Sequence, residues 1–320
     1  MKYALIMIGI LLAVSLPAAF AQDYPTKPIH IIVSYAPGGG TDVIARVLAR
    51  KLNERLGQPV IVENRPGAGG NIGTEAVAKA AADGYTLSLV PSSHAVAPLF
   101  YPKLPFDIFK DFTFITLVAS GPNIVVANPA VPVISVGELI ALAKRQPGEL
   151  TFASAGVGSS THLAGEYFNS VAGIKALHVP YKGSSQAETD LISGRVSYMV
   201  DSIPSALPKV QAGQIRALAT TGKRRFAGLP NIPTVLESGL PYESISWWGV
   251  IGPANLPQAI VDKLASEITR IMRLDDVKEF IAAQGAEVTV SSAQEFVDLA
   301  KKDNNLYAKI IKDANIRIEQ

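Results

Sequence analysis

Apolar positions along the chain follow two alternating rhythms. Short runs rich in β-branched residues, at 29–33, 60–63 and 86–90, read as strands. Between them lie segments with helical spacing. In 42–56, Ile44, Val47, Leu48, Leu52 and Leu56 recur mostly every three or four positions, which predicts a helix with one buried face that stops at Gly57. A long apolar stretch at 112–128, broken by Gly121-Pro122, reads as an extended crossing. Beyond it the alternation resumes. Ser135 and Glu138 form a capping box for a helix that ends at Pro147-Gly148. Strands at 150–154, 176–180, 198–201 and 215–220 follow, interleaved with helices that include 161–171. The run 245–252 predicts a return crossing, and helices at 258–272, 276–283 and after Ser292 complete the chain, the last with Glu295 closing a second capping box.

The alternation implies an α/β fold of βα units around mostly parallel sheets. Two crossings divide it into a discontinuous lobe at 22–120 and 247–320 and a central lobe at 121–246. Ligand clefts commonly form between such lobes, with the crossings as a hinge.

The first 21 residues change this picture only at its edge. Lys2, an apolar run over 4–16, Pro17 and the small residues Ala19 and Ala21 have the order of a cleavable secretory signal, and the run is short of the ~20 residues that span a bilayer. Without cysteine, the exported chain would draw its stability from its core. The near-balance of 29 Lys and Arg against 27 Asp and Glu leaves no basic stripe for nucleic acid. Four histidines (His30, His94, His162 and His178) lack ligand spacing and thiolate company, so neither a metal nor another cofactor is expected.

Enzyme signatures are missing too: no G-x-S-x-G, H-E-x-x-H or phosphate-loop motif occurs, and in the glycine run 67–73 Ile72 stands where a dinucleotide fingerprint needs glycine. Ser159, His162 and Glu166 are the local candidates for a nucleophile, base and orienting carboxylate; the alternative for His162 is packing in the first helical turn. The expectation is a protein without a catalytic residue.

Two loops carry positive signals. Tyr35-Ala36-Pro37-Gly38-Gly39-Gly40-Thr41-Asp42 joins the first strand to the first helix, and Ser154-Ala155-Gly156-Val157-Gly158-Ser159-Ser160-Thr161 occupies the matching place in the central lobe. Glycines let backbone N–H groups approach a ligand, and a helix start behind them favours an anion. Each loop sits at the carboxyl end of a strand, where open α/β sheets bind ligands. A helix dipole contributes about 0.3–1 kcal/mol when exposed, against several kcal/mol to desolvate a carboxylate. Direct bonds to amides and hydroxyls, at about 1.5–3 kcal/mol each for a charged acceptor, must supply the balance. Neither loop holds Arg or Lys. Four further places remain open between ligand contact and a structural role: Ser92-Ser93-His94, Lys182, Asp201, and the pair Trp247-Trp248.

Together, the segments Pro37-Gly38-Gly39-Gly40-Thr41-Asp42, Val62-Glu63-Asn64-Arg65-Pro66-Gly67-Ala68-Gly69-Gly70, Asp83-Gly84-Tyr85-Thr86, Ser154-Ala155-Gly156, His178-Val179-Pro180-Tyr181-Lys182-Gly183 and Asp201 before Pro204-Ser205 resemble the periplasmic receptors of tripartite tricarboxylate transporters, the Bug receptors. The resemblance covers essentially the whole chain after the signal. It implies a two-lobed, type II-like periplasmic-binding fold with two interlobe crossings and a ligand cleft, a carboxylate ligand, and delivery to membrane transporter subunits by a monomeric receptor. Carried over residue by residue, it nominates Ala36, Gly38, Gly39, Thr41 and Asp42, then Ser92 and Ser93, then Ser154, Gly158 and Ser159, with Asp201 suited to an amine or the distal end of the ligand. Asn64 to Gly73 is read as structural. Ser92-Ser93 departs from the threonine and glycine frequent in the family, which bears on ligand choice. Signalling to a two-component system is the alternative use of such a receptor, and hydrolysis by Ser159 and His162 the other.

Overall fold

The computed structural model describes residues 24–101 and 103–313; the signal expected at 1–21 lies outside them. The first lobe opens with β1 (Ile29–Val33), α1 (Gly40–Leu56), β2 (Val60–Asn64), α2 (Asn71–Ala78), β3 (Thr86–Pro91) and α3 (Ser93–Phe100). The strand β4 (Phe112–Ala127) leads to the second lobe, built from α4 (Val136–Arg145), β5 (Thr151–Ser154), α5 (Ser160–Ala172), β6 (Leu177–Pro180), α6 (Ser184–Ile192), β7 (Tyr198–Ser202), α7 (Ile203–Gln211) and β8 (Arg216–Thr220). The strand β9 (Ile245–Pro253) returns, followed by α8 (Gln258–Met272), α9 (Asp275–Ala283), β10 (Glu287–Val288) and α10 (Ala293–Asp313).

The sheet order is β2-β1-β3-β9-β4-β7-β5-β6, with β8 and β10 also on β4. One strand therefore belongs to both halves. Residues 112–122 of β4 pair with β9, from Phe112↔Pro253 to Pro122↔Ile245. Residues 123–127 pair with β7, and four of them also with β8. The βα units are parallel as expected, β1 with β2 and β3 and β5 with β6 and β7. The crossings are not. Both β4 and β9 run antiparallel to every strand they touch, so the sheets are mixed rather than mostly parallel. The reason is connectivity: an outgoing and a returning strand that lie side by side must run in opposite directions.

A buried polar cluster ties the crossings where they meet. Asn123 Nδ2 donates to Ser244 Oγ at 2.9 Å, Ser246 Oγ donates to Asn123 Oδ1 at 2.9 Å, and Asn123 N donates to Thr221 Oγ1 at 2.7 Å. Buried polar groups satisfied in this way fix one register where an apolar contact would tolerate slippage.

Helix ends follow local chemistry. Ser135 Oγ caps Glu138 N at 3.2 Å, and Ser292 Oγ caps Glu295 N at 3.2 Å while Glu295 returns a bond to Ser292 N at 2.8 Å. The first lobe packs Ile29, Ile31 and Val33 against Ile44, Leu48 and Leu52 of α1 and Leu264 and Ile268 of α8. The second centres on Phe152, Phe168, Tyr198 and Tyr242. No helix among the described residues is long and apolar enough to cross a membrane.

The helix α10 clamps the crossings from outside. Fully buried Phe296 lies edge-on to Phe114 at 4.8 Å and Trp247 at 5.3 Å, over Gly249, where a Cβ would sit 2.2 Å from the Phe296 ring. Trp247 Nε1 donates to Asp303 Oδ2 at 2.6 Å. Truncating Phe296 removes contacts that β4, β9 and α10 share. Phe296→Ala is expected to cost about 3–5 kcal/mol of stability, read as a lower urea midpoint. A wild-type midpoint would show that α10 is not needed to hold the crossings.

Candidate functional site

The loop after β1 is shaped by Asp42. This carboxylate is 3 % exposed, and both its oxygens are engaged. Its Oδ2 accepts from Gly38 N at 2.9 Å and from Arg46 Nε at 2.9 Å, and its Oδ1 accepts from Asn64 Nδ2 at 2.9 Å. Burial by itself raises the Asp42 pKa; the bonds from Arg46, Gly38 and Asn64 outweigh it and hold the group below the ordinary carboxylate range. Gly38 has φ 86°, a left-handed turn that glycine adopts without strain. Asp42 thus positions the loop, with both of its oxygens bonded to the protein.

The loop after β5 is held from within. Ser154 Oγ accepts from Gly156 N at 3.1 Å, Thr161 Oγ1 accepts from Ala155 N at 2.8 Å, and Ser159 Oγ caps His162 N at 3.2 Å. His162 Nδ1 accepts from Gly158 N at 3.1 Å, which makes that nitrogen an acceptor and not a base for Ser159. The His162 ring stacks on His178 at 4.0 Å, and His178 Nε2 bonds Ser154 Oγ at 2.6 Å. Burial, then the neighbouring His162, pushes the His178 pKa down to about 3, so that its imidazole is neutral at physiological pH.

Four helix starts converge on one interlobe cavity of about 30 Å³. From the first lobe, α1 brings Gly39, Gly40 and Thr41, with Tyr35 before it. From the second, α5 brings Ser160 and Thr161 behind Ala155, α6 brings Ser184, and α7 brings Ser202. Pro91, just ahead of α3, and Trp248 of β9 close the wall. The first N–H groups of a helix lack intrahelical partners. At α1, α6 and α7 no side chain caps them. Among the described residues, no ionised side chain lines the cavity. The wall itself therefore offers amides and helix dipoles, the setting that favours an anion.

The lobes touch around this space. Ala36 N donates to Lys182 O at 3.1 Å, Ser185 Oγ to Pro37 O at 2.7 Å, and Tyr101 Oη to Val157 O at 2.8 Å. Gly69, at φ 63°, lies so close that an added Cβ would stand 2.0 Å from Val157 O. Tyr35 Oη holds this glycine turn by donating to Gly69 O at 2.7 Å. The segment 64–73, read from sequence as structural, thus also reaches the facing lobe. Its run of positive-φ glycines, Gly67, Gly69 and Gly70, is the signal that could have shown this.

Of the residues nominated from sequence, Gly39 and Thr41 lie on the cavity wall. Ala36 and Gly38 lie in the interlobe contact, and Gly38 would meet Ser185 through an added Cβ at 3.6 Å. Ser154 and Ser159 are fully buried beneath Ala155 and Ser160, and Gly158 packs against Tyr101. Ser92 and Ser93 are buried behind Pro91, with Ser93 Oγ 2.9 Å from Tyr35 Oη. Asp201 is 0 % exposed; its Oδ1 accepts from Ser184 Oγ and Ser202 N, both at 2.8 Å. Lys182 is exposed and reaches the other lobe through its backbone carbonyl. The sequence reading marked the starts of α6 and α7 through Lys182 and Asp201 but did not nominate Ser184 and Ser202, the residues there that line the cavity. Trp248 Nε1 donates to Thr41 Oγ1 at 3.1 Å, which makes it a cavity wall, whereas Trp247 turns to α10.

Residues 44–316 match the tripartite tricarboxylate transporter family receptor, TctC. The protein BugT of Bordetella pertussis is 37% identical, over 100% of this chain and 99% of its own length. An adipate-bound protein from R. palustris superposes with a TM-score of 0.89 at 35% identity, covering 91% of this chain and 98% of that one. MatC from Rhodopseudomonas palustris, with bound malate, superposes with a TM-score of 0.86 at 29% identity, covering 90% and 100%. The two-lobed α/β fold, the cleft between its lobes and the matched sequence place this chain in the TctC, or Bug, family of periplasmic solute-binding receptors.

Proposed function

We propose that this chain is an exported, non-catalytic receptor that closes on a small organic carboxylate and delivers it to the membrane subunits of a tripartite tricarboxylate-type transporter. The observation that carries the reading is the convergence of four helix starts on one cavity that has no charged side chain on its wall. Each start contributes up to about 2 kcal/mol when partly buried, and each direct amide or hydroxyl bond to a carboxylate about 1.5–3 kcal/mol. Together these exceed the several kcal/mol needed to desolvate the anion. The adipate and malate bound by the relatives are carboxylates of this class. We assign Gly39 and Thr41 to direct contact. Ala36, Gly38, Asp42, Ser92, Ser93, Ser154, Gly158, Ser159 and Asp201 act by shaping the walls, along lobe divisions at 22–120 with 247–320 and 121–246.

The cavity, at about 30 Å³, is far below the ~300–1,000 Å³ of ordinary ligand pockets. A carboxylate of several carbons must therefore enter with the lobes further apart, by bending at the crossings. Closure then hides the anion from water and brings surfaces of both lobes into one arrangement that a membrane partner can recognise.

Native mass spectrometry of the purified, unrefolded protein and calorimetry with dicarboxylates, tricarboxylates, amino acids and aromatic acids test this reading. One class is expected to bind one to one and to be recovered unchanged. Failure of every acid to bind, or conversion of a bound one, would overturn it. Closure has its own test in Gly69→Ala. The added methyl group collides with Val157 O, and the left-handed turn costs alanine about 1–2 kcal/mol. Both lobes are expected to fold, while the affinity for the bound acid drops at least about tenfold, equivalent to about 1.4 kcal/mol. Compaction on ligand addition, followed by small-angle scattering, should be lost as well. Wild-type affinity and compaction in this variant would show that the Gly69 contact plays no part in closing.

A further inference from the structure

Behind the second-lobe wall lies a pair of acids that ligand contact does not explain. Glu188 of α6 is 1 % exposed and Asp201 of β7 is 0 % exposed. Geometry brings the two carboxyl groups together: Ser184, which bonds Asp201, lies one turn before Glu188 on α6, and Ser205 of α7 bonds Glu188. Asp201 Oδ1 is satisfied by Ser184 Oγ and Ser202 N, and Glu188 Oε1 accepts from Ser205 Oγ at 3.0 Å. The second oxygens, Asp201 Oδ2 and Glu188 Oε2, are both buried without a hydrogen-bond partner among the described residues. Lys209 Nζ of α7 stands 2.8 Å from Glu188 Oε2 and donates to Ser205 O at 2.9 Å. Lys209 is the charged group that contacts the pair. The remaining contacts come from Ser184 of α6, Ser202 of β7 and Ser205 of α7.

Two ionised carboxylates cannot hydrogen-bond each other, and beside one ammonium they would leave a net negative charge out of reach of water. An uncompensated buried charge costs several kcal/mol. One proton between the two acids removes that charge and gives Asp201 Oδ2 a partner.

We propose that Asp201 and Glu188 share a single proton and that this pair is the positioning element for Ser184 and Ser202, the contributions of α6 and α7 to the ligand cavity. Neither acid lies on the cavity wall; both act through the two serines. With its hydroxyl proton committed to Asp201, Ser184 can only accept from any other neighbour, so that whatever meets it in the cavity, a ligand group or a bridging water, must donate. Titration follows the same logic. Burial first, then the Asp201 charge, raises the Glu188 pKa from 4.5 to about 8 against the bonds from Lys209 and Ser205, and burial raises Asp201 as well. A folded-state pKa above the unfolded one means that the stabilisation is complete below about pH 4.5 and is lost as pH rises through about 8. Loss of the proton sets two carboxylates against each other directly beneath Ser184 and Ser202.

The positioning role bears on affinity only if the receptor reading holds, so two readouts need no ligand. Infrared spectra of the whole chain at pH 6.5 are expected to show a protonated-carboxyl carbonyl band that is missing from both Glu188→Gln and Asp201→Asn. In the ¹⁵N-labelled protein, the Ser202 amide resonance is expected to move as pH passes about 8, and to stay still in Glu188→Gln, whose amide replaces the shared proton permanently. A third readout is calorimetry with malate and with adipate at pH 6.5 and 9. Affinity in the wild type should fall by up to about tenfold per pH unit above the pair's pKa, but not in Glu188→Gln. A missing infrared band, or a Ser202 amide that titrates alike in both proteins, overturns the pair. An acid that binds with the same pH profile in both overturns its positioning role. Absence of binding by both acids counts against the receptor reading, and the infrared and resonance results still decide the pair.

Discussion

The antiparallel pairing of β4 with β9 is the constraint on which the rest of the molecule depends. Each of these strands runs from one half of the structure into the other, and β4 alone carries pairing partners of both sheets. Because the outgoing strand is the neighbour of the returning one, the two lobes share a continuous hydrogen-bonded seam instead of a loose linker. The bonds of Asn123 with Thr221, Ser244 and Ser246 lock the register where the seam passes from one sheet to the next. Once that register is set, the carboxyl ends of β1, β5, β6 and β7 face the same space, and the helices that follow them start there. The cavity is thus a consequence of strand connectivity before it is a matter of particular side chains.

The electrostatics of that cavity reverse a common expectation for anion binding. Arginine or lysine would provide a strong, long-range attraction, but also a charge to be desolvated whenever the lobes close without ligand. Backbone amides at helix starts present partial charges already fixed in place, and closure costs them little reorganisation. Where α4 and α10 begin, at the periphery, Ser135 and Ser292 satisfy the first amides. Around the cavity, α1, α6 and α7 begin without a side-chain cap. Leaving a helix uncapped forgoes roughly 1 kcal/mol of stability. At the cavity α5 keeps its Ser159 cap, and away from it α2, α3, α8 and α9 also begin uncapped, so what sets α1, α6 and α7 apart is their convergence on one space.

Much of this was legible in the sequence, and the misses have physical causes. Apolar periodicity located the crossings and nearly every helix because it reports burial directly. It could not show that the crossings are antiparallel to their neighbours, since strand direction is set by long-range connectivity and leaves no trace in local pattern. The same limit hid the two-residue β10, whose pairing with Ala119 and Ser120 is decided by β4. At the site, glycine-rich loops stood out because close backbone approach and positive φ demand glycine. The starts of α6 and α7 make the same use of amides with ordinary residues around them, so the sequence marked them only through Lys182 and Asp201 and not through Ser184 and Ser202. Sequence nominated Asp42 and Asp201, but it cannot tell an acid that faces a ligand from one that bonds Arg46, Asn64 and Gly38, or Ser184 and Ser202, behind the wall.

Those two acids show how the site divides its labour. The groups on the wall are weak, neutral donors and acceptors, and such groups select a ligand only if they are held still. Charge does the holding, one layer back. Asp42, supported by Arg46, pins the turn at Gly38 in the first lobe; Asp201, backed by Glu188 and Lys209, pins Ser184 and Ser202 in the second. Placing the carboxylates behind the wall keeps their negative charge from an anionic ligand's path while their hydrogen bonds still orient the residues that meet it. An acid on the wall would repel the carboxylate that the helix starts attract. The same acid bonded through a serine hydroxyl or a backbone amide turns that neighbour's donor away from the cavity and leaves the neighbouring helix amides to face the ligand. Recognition without a charged wall therefore still relies on charge, applied where it stiffens the donors rather than where it touches the ligand.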